Sequence, residues 1–193
     1  MAHHLQTIHL EHLPPNHDLH IALYHNVTNA SFLHQQLLAG NTDFEYALID
    51  ASVILSKTHI LAAAYRAVND MLENRLRSRN VHSEIVFSLS PNNNIAESFR
   101  RFGITPTTTS LLILKLSTPS TPRTFSATET HLASVIEGVN APFSDEVLRA
   151  GVDEKRVRKV YKLNGLVVGK GLDARRELEV SVLGAMALRS VTN

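Results

Sequence analysis

Residues 82–104 read HSEIVFSLSPNNNIAESFRRFGI. Over residues 84–89 Ile85, Phe87 and Leu89 alternate with more polar neighbours, the period of a strand with one buried face. Ser90 and Pro91 break that run. Asn94 is a strong helix N-cap with Glu97 three residues on, the pattern of a capping box. Ile95, Phe99 and Phe102 then line one side of a short helix, and Gly103 predicts a left-handed stop. A strand, a polar turn and a capped helix within 23 residues call for a layered domain in which helices cover a sheet.

The rest of the chain extends this pattern. Leu19, Ile21 and Leu23 alternate with His20, Ala22 and Tyr24, predicting a half-buried strand with His20 and Tyr24 on its outward face. A helix follows over 30–38 and a short apolar strand over 46–49. Ser56 opens the longest helix, 57–76, with Ile60, Ala64, Val68 and Met71 on one face and Leu61, Leu72 and Leu76 beside them. Residues 111–116, apolar except for Lys115, predict a central strand. A Ser-, Thr- and Pro-rich loop over 117–123 leads to a helix capped by Ser126 and Glu129 and ending at Gly138. Two short helices, 145–150 and 154–161, precede a glycine-containing loop over 164–172. Asp173 caps a last helix running to about residue 190. Early strands and late helices make the expected class α+β (mixed α/β). We expect a single domain over 1–193, with a small mixed or antiparallel sheet, a helical C-terminal part and an irregular stretch over 1–17.

Composition narrows the chemistry. The 193 residues contain no cysteine, which removes disulfides, thiolate metal sites and cysteine nucleophiles. The start lacks a basic segment followed by an apolar one, and no apolar run approaches membrane-spanning length. The net charge of +1 hides an asymmetry: two basic against seven acidic residues up to position 74, but eight against two over 154–176. Such a basic C-terminal third attracts phosphate or simply forms a solvated face. Seven of the eleven histidines fall in the first 25 residues, yet none forms the helical pair of a catalytic zinc site. The spacing of Gly165, Gly169, Lys170 and Gly171 does not match a phosphate loop, and no serine sits in a nucleophile elbow. No metal, cofactor or catalytic residue is expected. The competing reading is a standalone metal-dependent hydrolase built on the N-terminal histidines.

Two stretches suggest binding. In the last helix Leu178, Val182, Ala185 and Met186 make one apolar stripe. Val180, Leu183, Ala187 and Val191 make a second, with Gly184 beside it. Two stripes mean burial on both sides within the domain, or a face that awaits a partner. Asn92, Asn93 and Asn94, with Arg100 and Arg101 on the following helix, form either a plain polar turn or a set of amides and charges for phosphates and base edges.

The segment 82–104 resembles a family signature, carried by Glu84, by Ser90 to Ile95 and by Phe102, Gly103 and Ile104. Ala47 to Asp50, Arg77 to Asn80 and the block Val160, Tyr161, Lys162 and Leu163 are similar to the same family. It is the family of the accessory KEOPS (EKC) subunit called PRPK-binding protein (TPRKB) in animals, and the expected placement is among its fungal members. The resemblance spans about residues 19–188, leaving out the histidine-rich start and the loop at 164–171. It implies a non-catalytic subunit that binds and stimulates the complex's atypical small kinase. That kinase in turn touches the threonylcarbamoyl transferase. The resemblance also implies help in capturing the 3′ CCA end of tRNA for threonylcarbamoyl-adenosine formation beside the anticodon, a link to telomere maintenance in fungi, and residence in nucleus and cytoplasm. On this basis Val180, Leu183, Gly184, Ala187 and Val191 are the candidate kinase face. Asn92, Asn93, Asn94, Arg100, Arg101 and Lys57 are the candidate tRNA contacts.

Overall fold

The computed structural model describes residues 4–165 and 172–192. Its frame is a five-stranded, wholly antiparallel sheet in the order β1 (Gln6–His9), β2 (Asp18–His25), β4 (Leu111–Ser117), β3 (Ala47–Asp50), with β5 (Val139–Ala141) also pairing with β2. The two long strands lie side by side, Leu19 opposite Leu116 and Leu23 opposite Leu112. On the far side of β4, Ile49 of β3 also faces Leu112. The apolar run of β4 therefore sits centrally, as its composition predicts. β1 lies within the stretch expected to be irregular, because Thr7 and Ile8 take up the register of His20 and Leu19.

Among the described residues, eight α-helices cover both faces. On one side Leu19, Ile21, Leu23, Ile49, Leu112 and Leu114 meet α2 (Lys57–Leu72), α3 (Val81–Ser88), α4 (Ile95–Phe102), α6 (Asp145–Gly151), α7 (Glu154–Val160) and α8 (Leu172–Thr192). On the other, Ala22, Tyr24, Leu48, Leu111 and Ile113 meet α1 (Ala30–Leu38) and α5 (Phe125–Val135). The class is α+β, and β2 is buried on both faces rather than half-buried. His20 and Tyr24 do not point outward but lie under the second helical layer. Burial of His20 is satisfied: Thr7 Oγ1 lies 2.8 Å from Nδ1, and Nε2–H donates to the Arg123 carbonyl at 3.0 Å.

The largest departure from the sequence expectation is at residues 84–89, which form most of a helix, α3, not a strand. Asn80 caps it, its side chain accepting from the Ser83 N–H at 2.9 Å. Val81, His82 and every residue from 84 to 88 are buried, so no apolar stripe exists to betray the helical period. Glu84 tolerates complete burial because one carboxylate oxygen accepts from Arg77 N–H, Ser78 N–H and the Ser78 hydroxyl at 3.0, 2.8 and 2.6 Å. Gly103 is extended, with φ −71°, not left-handed; a Cβ there would stand 2.7 Å from the Phe99 carbonyl. Close backbone approach is what requires the glycine.

Smaller differences concern ends. α2 stops at Leu72, and the chain reverses through a left-handed Asn74. The cap of α5 is Thr124, not Ser126. Asp173 lies inside the first turn of α8 rather than at its cap. Of the loop expected over 164–172, residues 166–171 lie outside the described residues, and Leu172 already opens α8.

Candidate functional site

α8 spans 21 residues, about 31 Å at 1.5 Å per residue. One side is sealed into the core by Leu178, Val182 (0 % exposed) and Met186. The seam is reinforced at both ends. The Ser56 hydroxyl at the start of α2 bonds Glu179, and Arg66 Nη1 donates to the Met186 carbonyl at 2.8 Å. The opposite side is largely exposed. Val180 is 62 % exposed and Val191 79 %, with Ala187 and Leu188 also exposed. Leu183 packs at the core margin and Gly184 is half-buried; a Cβ built on Gly184 meets nothing within 4 Å. Of the two sequence alternatives, burial on both sides and an open second face, the second holds. Positions 180, 183, 184, 187 and 191 form a continuous ridge with i, i+3, i+4 spacing.

A residue that sequence reasoning missed anchors this helix. Arg189 is 2 % exposed; its guanidinium stacks 4.0 Å from the Phe87 ring centroid and donates to the Phe87 carbonyl. Burial, and then the charge of Arg66, pull its pKa down to about 10, so it keeps its proton at neutral pH. Its own carbonyl accepts from Asn93 Nδ2 at 3.4 Å. A charge late in a surface-looking helix carries no sequence mark of such burial.

The asparagine turn is built largely from its own side chains. Asn92 Oδ1 accepts from the Asn94 N–H at 3.0 Å, Asn92 Nδ2 donates to Glu97 at 3.3 Å, and Asn94 Oδ1 accepts from the Glu97 N–H at 2.9 Å. The cap predicted at Asn94 is present, while Glu97 turns back to Asn92 rather than to the cap's own N–H. Arg101 is committed to Glu97 and to the Val160 carbonyl, whereas Arg100 is solvent-exposed, 4.0 Å from Glu97. Lys57 does not join this group. It lies over the Phe143 ring and its N–H donates to Asp145, beside the Ser56–Glu179 contact. Along α8 that is ten residues, about 15 Å, from the Arg189 carbonyl that receives Asn93. The cation that touches the turn is Arg77, whose Nη1 donates to Asn93 Oδ1 at 3.1 Å. Arg77 lines a cleft of about 470 Å³ with Arg66, Arg75 and the half-exposed Tyr65, its only acid being Asp70, which pairs with Arg66 and Arg75.

Among the described residues no group of three His, Asp or Glu converges on a point that could hold a metal ion, and no helix is long and apolar enough to cross a membrane. Described histidines of the N-terminal region are spread over separate partners: His17 on the Pro15 carbonyl, His20 on Thr7 and Arg123, His25 on Ser110. His3 lies outside the described residues.

One helix thus combines a sealed inner stripe with an exposed apolar outer ridge. The family model described as "Kinase binding protein CGI-121" matches residues 24–190, most of the chain, and the chain belongs to this family. Among similar proteins is the EKC/KEOPS complex subunit cgi121 of Aspergillus fumigatus, 57 % identical over 189 residues, covering 97 % of this chain and 98 % of that protein. The EKC/KEOPS complex subunit CGI121 of Gibberella zeae is 45 % identical over 198 residues, covering 97 % and 99 %. The corresponding subunit of Schizosaccharomyces pombe is 31 % identical over 175 residues, covering 91 % and 95 %.

Proposed function

We propose that the chain is a non-catalytic subunit of a KEOPS/EKC complex and that the ridge of Val180, Leu183, Gly184, Ala187 and Val191 receives the complex's small atypical kinase. In this reading the subunit stimulates the kinase's nucleotide hydrolysis and reaches the threonylcarbamoyl transferase only through it. It helps hold the 3′ CCA end of tRNA during threonylcarbamoyl-adenosine formation, serves telomere maintenance, and works in nucleus and cytoplasm. Family membership supports the kinase partner, and the names of the relatives support the complex. The observation that carries the reading is the uncovered apolar ridge on a helix whose other side is already sealed into the core. The gap left by Gly184 lets a second backbone come close.

For RNA, the asparagine turn joins Arg77, Arg66, Arg75 and Tyr65, a cationic cleft with one aromatic ring of the kind single-strand readers use. Arg100 and Lys57 both lie outside this cleft. Co-purification with the kinase of a KEOPS complex tests the first part: replacing the exposed Val180 and Ala187 by Asp abolishes it and leaves the monomer folded. Retained co-purification removes the assignment. The second part is tested by tRNA binding as a function of salt. Arg77→Glu with Arg75→Glu weakens binding and flattens the slope by roughly one to two counterions; an unaltered slope removes these residues from the interface.

A further inference from the structure

A second pocket lies away from α8, between α1, the 3-10 turn Thr42–Phe44 and α4, with a volume of about 510 Å³. That is within the ~300–1,000 Å³ of pockets that bury a ligand or a peptide anchor. Its floor is apolar: Leu37, Phe44, Phe99 and Ile104, with Leu38 (73 % exposed) at the lip. Two guanidiniums, Arg79 and Arg100, stand on the rim.

The charges are not balanced within the pocket. Its only carboxylate, Glu45, is engaged elsewhere. The Leu116 N–H donates to His82 Nε2 at 3.1 Å, which leaves the ring proton on Nδ1, facing Glu45 Oε1 at 3.5 Å. The neighbouring His82 ring, with Lys115 and Arg79 nearby, holds the Glu45 carboxyl below its usual range. Glu97, nearest to Arg100, is already paired with Arg101. The exposed Arg79 guanidinium lies over Gly40, its Nη1 2.9 Å from where a Cβ would stand, and the Gly40 φ of +68° also demands glycine.

From these features we infer that the pocket docks an acidic peptide segment of a partner protein, one large apolar side chain filling the floor and flanking carboxylates meeting Arg79 and Arg100. A peptide fits better than a nucleotide. The floor has two rings, and Phe44 is already engaged edge-on by Phe32 and His131, so only Phe99 could meet a base and no run of stacking rings is offered. The side-chain amides of Asn41 and Asn80 at the margin suit an extended backbone. Because α8 contributes nothing to the lining, this partner and one on α8 bind together.

The test is fluorescence anisotropy with a labelled peptide carrying leucine and phenylalanine between glutamates and aspartates, in the presence and absence of a single-stranded RNA competitor. The expected result is saturable binding whose Kd rises about tenfold or more in Arg79→Glu with Arg100→Glu, as for loss of charge-assisted pairs. Leu38→Asp, at a solvent-exposed position that cannot unfold the chain, weakens it comparably. RNA leaves it unchanged. Absence of binding, indifference to these substitutions, or displacement by the RNA overturns the inference.

Discussion

Tyr161→Phe is the perturbation whose cost follows most directly from the geometry. The Leu55 N–H donates to His59 Nδ1 at 3.2 Å, so the ring proton sits on Nε2 and is donated to Tyr161 Oη at 2.8 Å. The Tyr161 hydroxyl then donates to the Leu89 carbonyl at 2.5 Å. The chain of bonds is directional and fully buried, tying α2, the end of α7 and the end of α3 together. Removing the hydroxyl keeps the ring against Phe102 and His59 but orphans the His59 N–H and the Leu89 carbonyl. Each orphan costs ~1–3 kcal/mol, so the two together cost about 2–6 kcal/mol. With about 2.1 cal/mol/K of unfolding entropy per residue, a 193-residue chain loses roughly 5–15 °C in Tm. Urea unfolding at pH 7, with exposed Tyr65→Phe as control, reads it out at unchanged m. A loss below about 0.5 kcal/mol refutes the directional network.

Burial drives the His59 pKa from 6.5 down to about 3. Between those values the unfolded chain binds a proton that the native chain refuses, so stability present above pH 6.5 is lost as pH falls toward 3. The slope is about 1.4 kcal/mol per pH unit, and His82, also lowered by burial, steepens it. Urea titrations from pH 7 to 4 with and without His59→Gln check the slope. Val182→Ala opens a cavity and costs roughly 1–2.5 kcal/mol, while Val180→Ala on the outer ridge changes thermal stability by less than about 0.5 kcal/mol. Asn94→Ala removes the side-chain acceptor for the Glu97 N–H and costs about 1 kcal/mol by the same denaturation assay.

The legible parts of the fold were those with a plain apolar pattern. α1 begins and ends where its pattern says, β4 is central because residues 111–116 are apolar except for Lys115, and Asn94 caps the Glu97 N–H as its spacing predicts. Legibility failed where polar residues are buried or burial is compensated. α3 hides its helical period because Glu84 is buried with one carboxylate oxygen held by the backbone of residues 77 and 78 and the Ser78 hydroxyl, leaving polar and apolar residues equally buried. His20 and Tyr24 read as surface because the layer that covers them comes from α1 and α5, distant in sequence. β5 is three residues long and paired only to β2, too short to carry a pattern. At the candidate site, the two faces of α8 were visible as two stripes, but the Arg189 anchor and the neighbours of the asparagine turn depend on long-range packing. Lys57, grouped with that turn by charge alone, belongs to another part of the molecule.

Methyl NMR of the chain titrated with the kinase of a KEOPS complex puts the central claim to its most direct trial. The account predicts that the methyl signals of Val180, Leu183, Ala187 and Val191 shift or broaden on complex formation, while those of Val182 and Leu178 on the sealed side hold their positions. Kinase binding that leaves the outer-ridge methyls untouched contradicts it.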